Sequence, residues 1–378
     1  MTTISISNVE GSGIAVQAPA EALGGTLLLG DGTMVEGRGI GEPGMLAAGE
    51  LVFTTAMTGY QEALTDPSYA GQLLCFTTPL LGTYGMASHR AQSSRIHPAA
   101  LLCAHYSPSA APSPSLRAAL TAQHRPLLTD LDTRRLTHHL RAHGSLPAAL
   151  VLHRPDESPS LSRLQEAIAT LHYGDTDFIG QVTPAHPRVV GAGSRTLVLL
   201  DCGTKEALVT QLVSHDCAVL VLPASTPPEA ILALRPDGVV LSNGPGNPQT
   251  ATGVIATIRS LLGQVPLFGV CLGHQLLALA AGGRTSKLPF GHRGANHPVV
   301  ELATGRAFIT TQNHGYAVEE ASLPDELVVT HRHLHDGTIE GLVHRELPIR
   351  SVQFHPEGAP GPKDAASVLD LWLDLLPA

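Results

Sequence analysis

GVCLGHQLLALA, residues 269–280, decides how the chain is read. Just before and into it, Val265, Pro266, Leu267, Phe268 and Val270 form a short apolar run of the kind that builds a buried strand of a parallel sheet. After it, Leu272, Leu276, Leu277 and Leu279 recur at roughly helical spacing until Gly282 and Gly283 stop the helix. Cys271 therefore falls at a strand-to-helix turn, where Gly269 and Gly273 permit a tight backbone. This is the geometry of a nucleophile elbow, with Cys in place of Ser. A helix N-terminus offers free N–H groups and positive potential, which favour a reactive thiolate. Most cysteines are nevertheless inert packing, so the reading needs a base and oxyanion donors.

Outward from the elbow, TLVLLD, CAVLVLPA, GVVLSN and VPLFGV read as strands, with KEALVTQLVSHD, PPEAILALR and GVIATIRSLLG as helices between them. That alternation predicts a doubly wound, mostly parallel α/β sheet over residues 195–378, with ligands at the carboxyl ends of its strands. AFITTQNHGYAV and IRSVQFHPE read as further strands and PKDAASVLDLWLDLL as a closing helix. Residues 23–152 differ. They are strand-rich and turn-rich, with a hairpin signal in GTLLLGDGTMVEG and helical patterning in DLDTRRLTHHLRAHG, so an α+β domain is expected. SPSAAPSPS (107–115) reads as a surface loop, and 153–194, ending in the Pro/Gly-rich TPAHPRVVGAGSR, as a connecting segment. Residues 1–22 read as a mobile extension.

QFHPEG (353–358) supplies the base. His355 and Glu357 lie two apart at an expected strand end, so both can face one way and Glu357 can orient His355 toward the thiol. SNGPGNP (242–248) follows another apolar strand, and its glycines leave N–H groups open to a developing oxyanion. Leu272, next after the nucleophile, supplies the second N–H.

Together GVCLGHQ, LSNGPGNP and QFHPEG closely resemble the class I, triad-type glutamine amidotransferases, which release ammonia from glutamine through a thioester. The resemblance implies Cys271 as nucleophile, His355 as base, Glu357 as its orienter, and Gly244 and Leu272 at the oxyanion hole. The first half narrows the family. FTTAMTGYQEALTDPSYAGQ (53–72), the DGT…GRGIG start and DTRRLTHHLR (132–141) resemble the carbamoyl-phosphate synthase small chain, as do FGHRGANHPV, TQNHGYAV, HDGTIEGL and HPEGAPGPKDA in the second half. By that resemblance Ser68, Gly244, Gly246, Gln275, Asn313, Gly315 and Tyr316 line a glutamine site, and Lys205 matches a family position whose role stays open. Thr54 stands where the family usually has Asn, and MASHRAQSS after Gly85 lacks acidic and Asn residues common there.

The resemblance implies a glutaminase subunit that passes ammonia to a carbamoyl-phosphate synthase large chain, in arginine and pyrimidine synthesis. No GxxxxGK[ST] loop is present, so ATP, with magnesium, is expected on that partner and no cofactor on this chain. The alternatives are the amidotransferase subunit of anthranilate synthase, and a catalytically silent glutamine-binding regulatory subunit. A net charge of −9, with only three lysines among its cations, gives no support for a nucleic-acid partner. Five scattered cysteines, no long apolar run and no basic-then-apolar N-terminus point to the cytoplasm. His331, His333 and His335 in HRHLH alternate on one face of an expected strand, where zinc could bind. The triad chemistry requires no metal, and a plain pH-sensitive strand edge is the expectation.

Overall fold

The computed structural model describes residues 23–108 and 114–376. The expected mobile extension at residues 1–22 and the middle of the 107–115 loop lie outside the described residues.

Seven strands of the first half close into a barrel, and the Asp-Gly hairpin starts it. Strands β1 (Leu23–Leu29) and β2 (Met34–Ile40) pair antiparallel around a turn in which Gly32 takes a φ of 89°. The others are β3 (Leu46–Thr54), β4 (Gln72–Phe76), β6 (Ala100–Leu102), β8 (Leu127–Thr129) and β9 (Leu146–His153), with β5 (Leu80–Leu81) and β7 (His105–Tyr106) as a small side ribbon. The barrel order is β1-β2-β8-β6-β4-β3-β9, and β3, β4, β6 and β8 run parallel to their neighbours in that series. Period-two alternation splits these strands between two cores. Leu27, Leu51, Leu73, Leu102, Leu128 and Leu150 share one with Leu136 and Leu140 of the helix Thr133–His143. Val52, Leu74, Leu101 and Leu127 meet the helices Tyr60–Leu64 and Leu116–Ala122 in the other.

The second half forms a ten-stranded sheet from β10 (Arg188–Val190), β11 (Arg195–Asp201), β12 (Cys217–Pro223), β13 (Gly238–Leu241), β14 (Leu267–Val270), β15 (Thr285–Glu301), β16 (Ala307–Val318), β17 (Leu327–His333), β18 (Ile339–His344) and β19 (Ile349–Val352). Its order is β10-β12-β11-β13-β14-β19-β18-β17-β15-β16. The run β12-β11-β13-β14-β19 is parallel, and antiparallel strands extend it on both sides. Alternate residues of the parallel strands face opposite layers. Leu197, Leu199 and Val240 pack with Leu208, Leu212, Leu369 and Trp372 on one side. Val198, Leu200, Val239 and Leu241 pack with Ile231, Ile258, Leu272 and Leu276 on the other. Helices thus cover both faces, as a buried parallel sheet requires.

Segment 153–194 is tied to both halves. Its helix Leu161–Ala169 lies on β1, β3 and β9, while β10 pairs with β12 at the sheet edge. HRHLH departs from expectation. Strand β17 ends at His333, the register shifts on both sides of His331, and His335 lies in the following turn. His331 packs against Phe308 and Phe354 instead of joining the other two histidines. A bulge flips the face a residue occupies, which simple alternation cannot foresee.

Candidate active site

Cys271 sits between β14 and the helix Leu272–Ala280 with φ 53° and ψ −101°, a conformation L-residues rarely adopt. Its N–H donates to the Val352 carbonyl at 2.8 Å, which pins the elbow to β19. The flanking glycines are there because backbone passes too close for a side chain. A Cβ on Gly273 would lie 2.1 Å from the Leu241 carbonyl oxygen, and one on Gly269 2.6 Å from that of Gly273. Holding a non-glycine residue in such a conformation costs on the order of 1–3 kcal/mol, which the surrounding sheet must offset.

His355 follows β19, and its N–H donates to the Thr311 carbonyl at 2.9 Å. Its Nδ1 lies 2.6 Å from Glu357 Oε1, and both side chains are wholly buried. Nε2 on the far edge of the ring has no hydrogen-bond partner. The Cys271 thiol donates to the Asn313 carbonyl at 3.6 Å. Behind Glu357, Lys205 Nζ lies 3.0 Å from the same Oε1 and also donates to the Gly358 carbonyl. Lys205 is 1% exposed, so the position left open from sequence is part of a buried relay, Lys205–Glu357–His355.

Burial disfavours a charged His355 ring, but the Glu357 carboxylate outweighs burial. Lys205 opposes that gain and the nearby thiol adds to it, leaving the ring's pKa raised to about 10. Burial also works against the charge on Glu357. Lys205 first and His355 second outweigh it and hold the carboxyl well below the usual range. The ring thus binds a proton tightly and is fixed in orientation by an ionised carboxylate.

Among the described residues, none accepts a hydrogen bond from the N–H of Gly244 or Leu272. Gly244 is held close to the elbow: a Cβ there would meet the Cys202 carbonyl oxygen at 2.2 Å and Leu272 Cδ2 at 2.8 Å. Its loop is anchored by Asn243, whose Nδ2 donates to the Gly203 carbonyl at 2.9 Å and to Ser68 Oγ at 3.0 Å.

Ser68, Gly244, Gly246, Gln275, Asn313, Gly315 and Tyr316 line one pocket with Cys271. Leu272 is not among the lining residues; it opens the helix next to Cys271 and its side chain packs in the core with Leu241 and Leu276. Gln275 Nε2 donates to the Tyr316 carbonyl at 2.8 Å and to Gln353 Oε1 at 3.0 Å, so it braces the wall. Asn313 Nδ2 donates to Asp66 Oδ2 at 2.9 Å, and Asp66 Oδ1 accepts from the Ser68 N–H. Sequence reasoning missed Glu50, Gln72, Tyr173, Arg293 and His314, which line the same pocket. Glu50 and Gln72 come from the barrel and Tyr173 from the connecting segment. The only available signal was that all but Tyr173 stand in or beside quoted motifs, because long-range approach leaves no local pattern.

Residues 198–374 match the family Glutamine amidotransferase class-I, and residues 27–150 match Carbamoyl-phosphate synthase small chain, CPSase domain. A Carbamoyl phosphate synthase small chain of Symbiobacterium thermophilum is 46% identical over 354 residues, 92% of this chain and 97% of that protein. One of Bacillus cereus is 44% identical over 357 residues, 93% of this chain and 95% of its own length. A Carbamoyl phosphate synthase pyrimidine-specific small chain of Halalkalibacterium halodurans is 46% identical over 354 residues, 93% and 96% of the two chains. No helix among the described residues is long and apolar enough to cross a membrane. With both halves matched in order and the relatives aligned over nearly their whole length, the chain belongs to the carbamoyl phosphate synthase small chain family.

Proposed function

We propose that this chain hydrolyses glutamine to glutamate and ammonia through a Cys271 thioester and delivers the ammonia to a large synthetase chain. The observation that carries the reading is the elbow thiol facing the pocket beside a histidine whose other nitrogen is held by a buried carboxylate.

The thiol proton passes to His355 Nε2 as Sγ attacks the carboxamide carbon of glutamine. The oxygen of that carbon gains charge and is met by the N–H groups of Gly244 and Leu272. His355 returns its proton to the departing nitrogen, the C–N bond breaks, and ammonia leaves a thioester. Water then attacks the thioester with His355 as base, and glutamate and the thiol are restored. Glu357 holds the ring and balances its charge throughout, and Lys205 keeps Glu357 ionised. Glu50 and Arg293 bring one carboxylate and one guanidinium to the pocket, the two charges that complement the ammonium and carboxylate of an amino acid.

ATP, with magnesium, belongs to the partner in this reading, and the ammonia is used there. The test is glutamate release by the purified chain, alone and with the large chain plus ATP and bicarbonate. A slow rate alone that rises with the partner supports the reading. A rate already high alone and indifferent to the partner favours a free-standing glutaminase.

A further inference from the structure

Three buried atoms behind the pocket face one another with no hydrogen bond between them. They are His292 Nδ1, His314 Nε2 and Glu340 Oε1, and none has a hydrogen-bond partner. His292 and His314 are 6% exposed and Glu340 is 0% exposed. Glu340 Oε1 lies 3.7 Å from His292 Nδ1 and 3.9 Å from His314 Nε2, too far for direct hydrogen bonds. The other polar atom of each group is already engaged. His292 Nε2 lies 2.9 Å from Asp336 Oδ2, and His314 Nδ1 lies 2.8 Å from the Tyr316 carbonyl. Glu340 Oε2 accepts from Gln312 Nε2 at 2.7 Å. A carbonyl can only accept, so Nδ1 of His314 carries the proton and Nε2 presents a lone pair. Asp336 favours the same assignment for His292, leaving Nδ1 bare.

We propose that His292, His314 and Glu340 form a binding site for one divalent zinc-class cation. Two imidazoles and one carboxylate are a donor set that suits zinc and not the oxygen-preferring magnesium or calcium. Metal-binding histidines ordinarily donate their second N–H to a carboxylate or backbone carbonyl, which is the pattern at both rings here. Zinc held at about 2.0–2.1 Å places tetrahedral ligand atoms roughly 3.3–3.4 Å apart, so Glu340 Oε1 needs to approach each ring nitrogen by only about half an ångström, and the three atoms already lie within 4.8 Å of one another. The backbone explains the convergence. His292 and His314 are register partners on β15 and β16, and register shifts frame the stretch 292–294 on both sides. A line of imidazoles leads from the site to the surface: His292 stacks on His333 at 4.2 Å, and the exposed His335 stands edge-on to His333 at 5.0 Å. His314 stands between Asn313 and Gly315 in the pocket wall, so the cation ties that wall to β15 and β18.

His292, His297 and His333 form a rival cluster on the other side of the His292 ring, with His297 Nδ1 3.0 Å from His333 Nε2. Those two nitrogens already satisfy each other, which disfavours it.

The test strips the full chain with a chelator, titrates it with zinc chloride by calorimetry, and records the visible spectrum with cobalt(II). The expected result is one equivalent bound, tetrahedral cobalt bands, and a higher thermal midpoint with zinc. Glu340→Gln and His292→Gln should each weaken zinc at least about a hundredfold, while His333→Gln stays near wild type. Circular dichroism checks that each variant is folded, and the wild-type cobalt spectrum stands without them. No stoichiometric uptake, or an octahedral cobalt spectrum, overturns the proposal; a water or a proton on His292 then satisfies the three atoms. Loss of binding in His333→Gln but not in Glu340→Gln also overturns it. Neither result bears on the glutaminase reading, which uses none of these groups as a reacting atom.

Discussion

The barrel and the ten-stranded sheet bury their polar side chains for different ends. The barrel's buried Asp66, Ser68 and Gln72 make neutral or single-charge hydrogen bonds, chiefly to Asn313, Asn243 and Tyr173 outside it. The sheet buries a continuous ionic relay, Lys205–Glu357–His355, together with a population of histidines. One half shapes a cavity and the other holds charge where bonds change. The first half therefore helps to close the pocket at Cys271, through Glu50, Ser68 and Gln72.

This division predicts that sheet variants lose turnover and barrel variants lose binding. Cys271→Ser or Cys271→Ala should abolish glutaminase activity, leaving less than about a thousandth of the wild-type rate, while ammonia-dependent synthesis by the partner persists. A larger residual rate in the glutamate-release assay would remove Cys271 as nucleophile. His355→Asn should come next, and Glu357→Gln should be milder, since an orienting group is partly replaceable and a base is not. Equal losses would break that ranking. Glu357→Gln also leaves the buried Lys205 without its carboxylate, so it should cost about 3–5 kcal/mol of stability in denaturant unfolding. Asp66→Ala should raise the KM for glutamine about tenfold with little change in kcat, because it frees Asn313 and the Ser68 turn. A fall confined to kcat would dissolve the distinction between the halves.

The smallest expected effect separates the two regions by acid. Burial holds His274 and His297 neutral, with pKa values near 3, and His333 near 4, against an ordinary 6.5; charged neighbours push further down. His314 is held well below 6.5 for the same first reason. Groups whose folded pKa is depressed contribute stability above pH 6.5 and lose it as pH falls toward the folded values. His355, raised to about 10, runs the other way and loses its contribution only as pH rises through that value. The barrel carries one comparable group, His97, near 4. The sheet half should thus loosen first between pH 6.5 and 4. Trp372, the chain's one tryptophan, is buried against Phe268 and reports it by fluorescence. Barrel amides exchanging before Trp372 reddens would contradict the expectation.

Much of the site was legible because catalysis on a parallel sheet gathers its groups at strand ends. Each such end leaves a local mark: Gly-x-Cys-x-Gly at the elbow, a Gly-rich turn after β13, and the His-x-Glu step after β19. The doubly wound half was legible from alternation for the same reason. The barrel's closure was not, since period-two patterning identifies a strand and is silent about which strand lies beside it. Arg293 and Glu50 were hidden because their role depends on chain segments more than 200 residues apart. HRHLH misled because a bulge at His331 replaced one face by two. Lys205 was noticed without a role, since nothing near it in sequence announces Glu357.

The left-handed turn at Cys271 sets selection and physics against each other at a single codon. Glycine accepts φ 53° without steric strain, so Cys271→Gly should relieve backbone strain even as it deletes the proposed nucleophile. Random drift judged by folding alone would favour the inert protein over the active one. The cysteine persists only where each generation is tested for ammonia production. A library screened for heat resistance without a glutaminase assay should therefore accumulate glycine at this position.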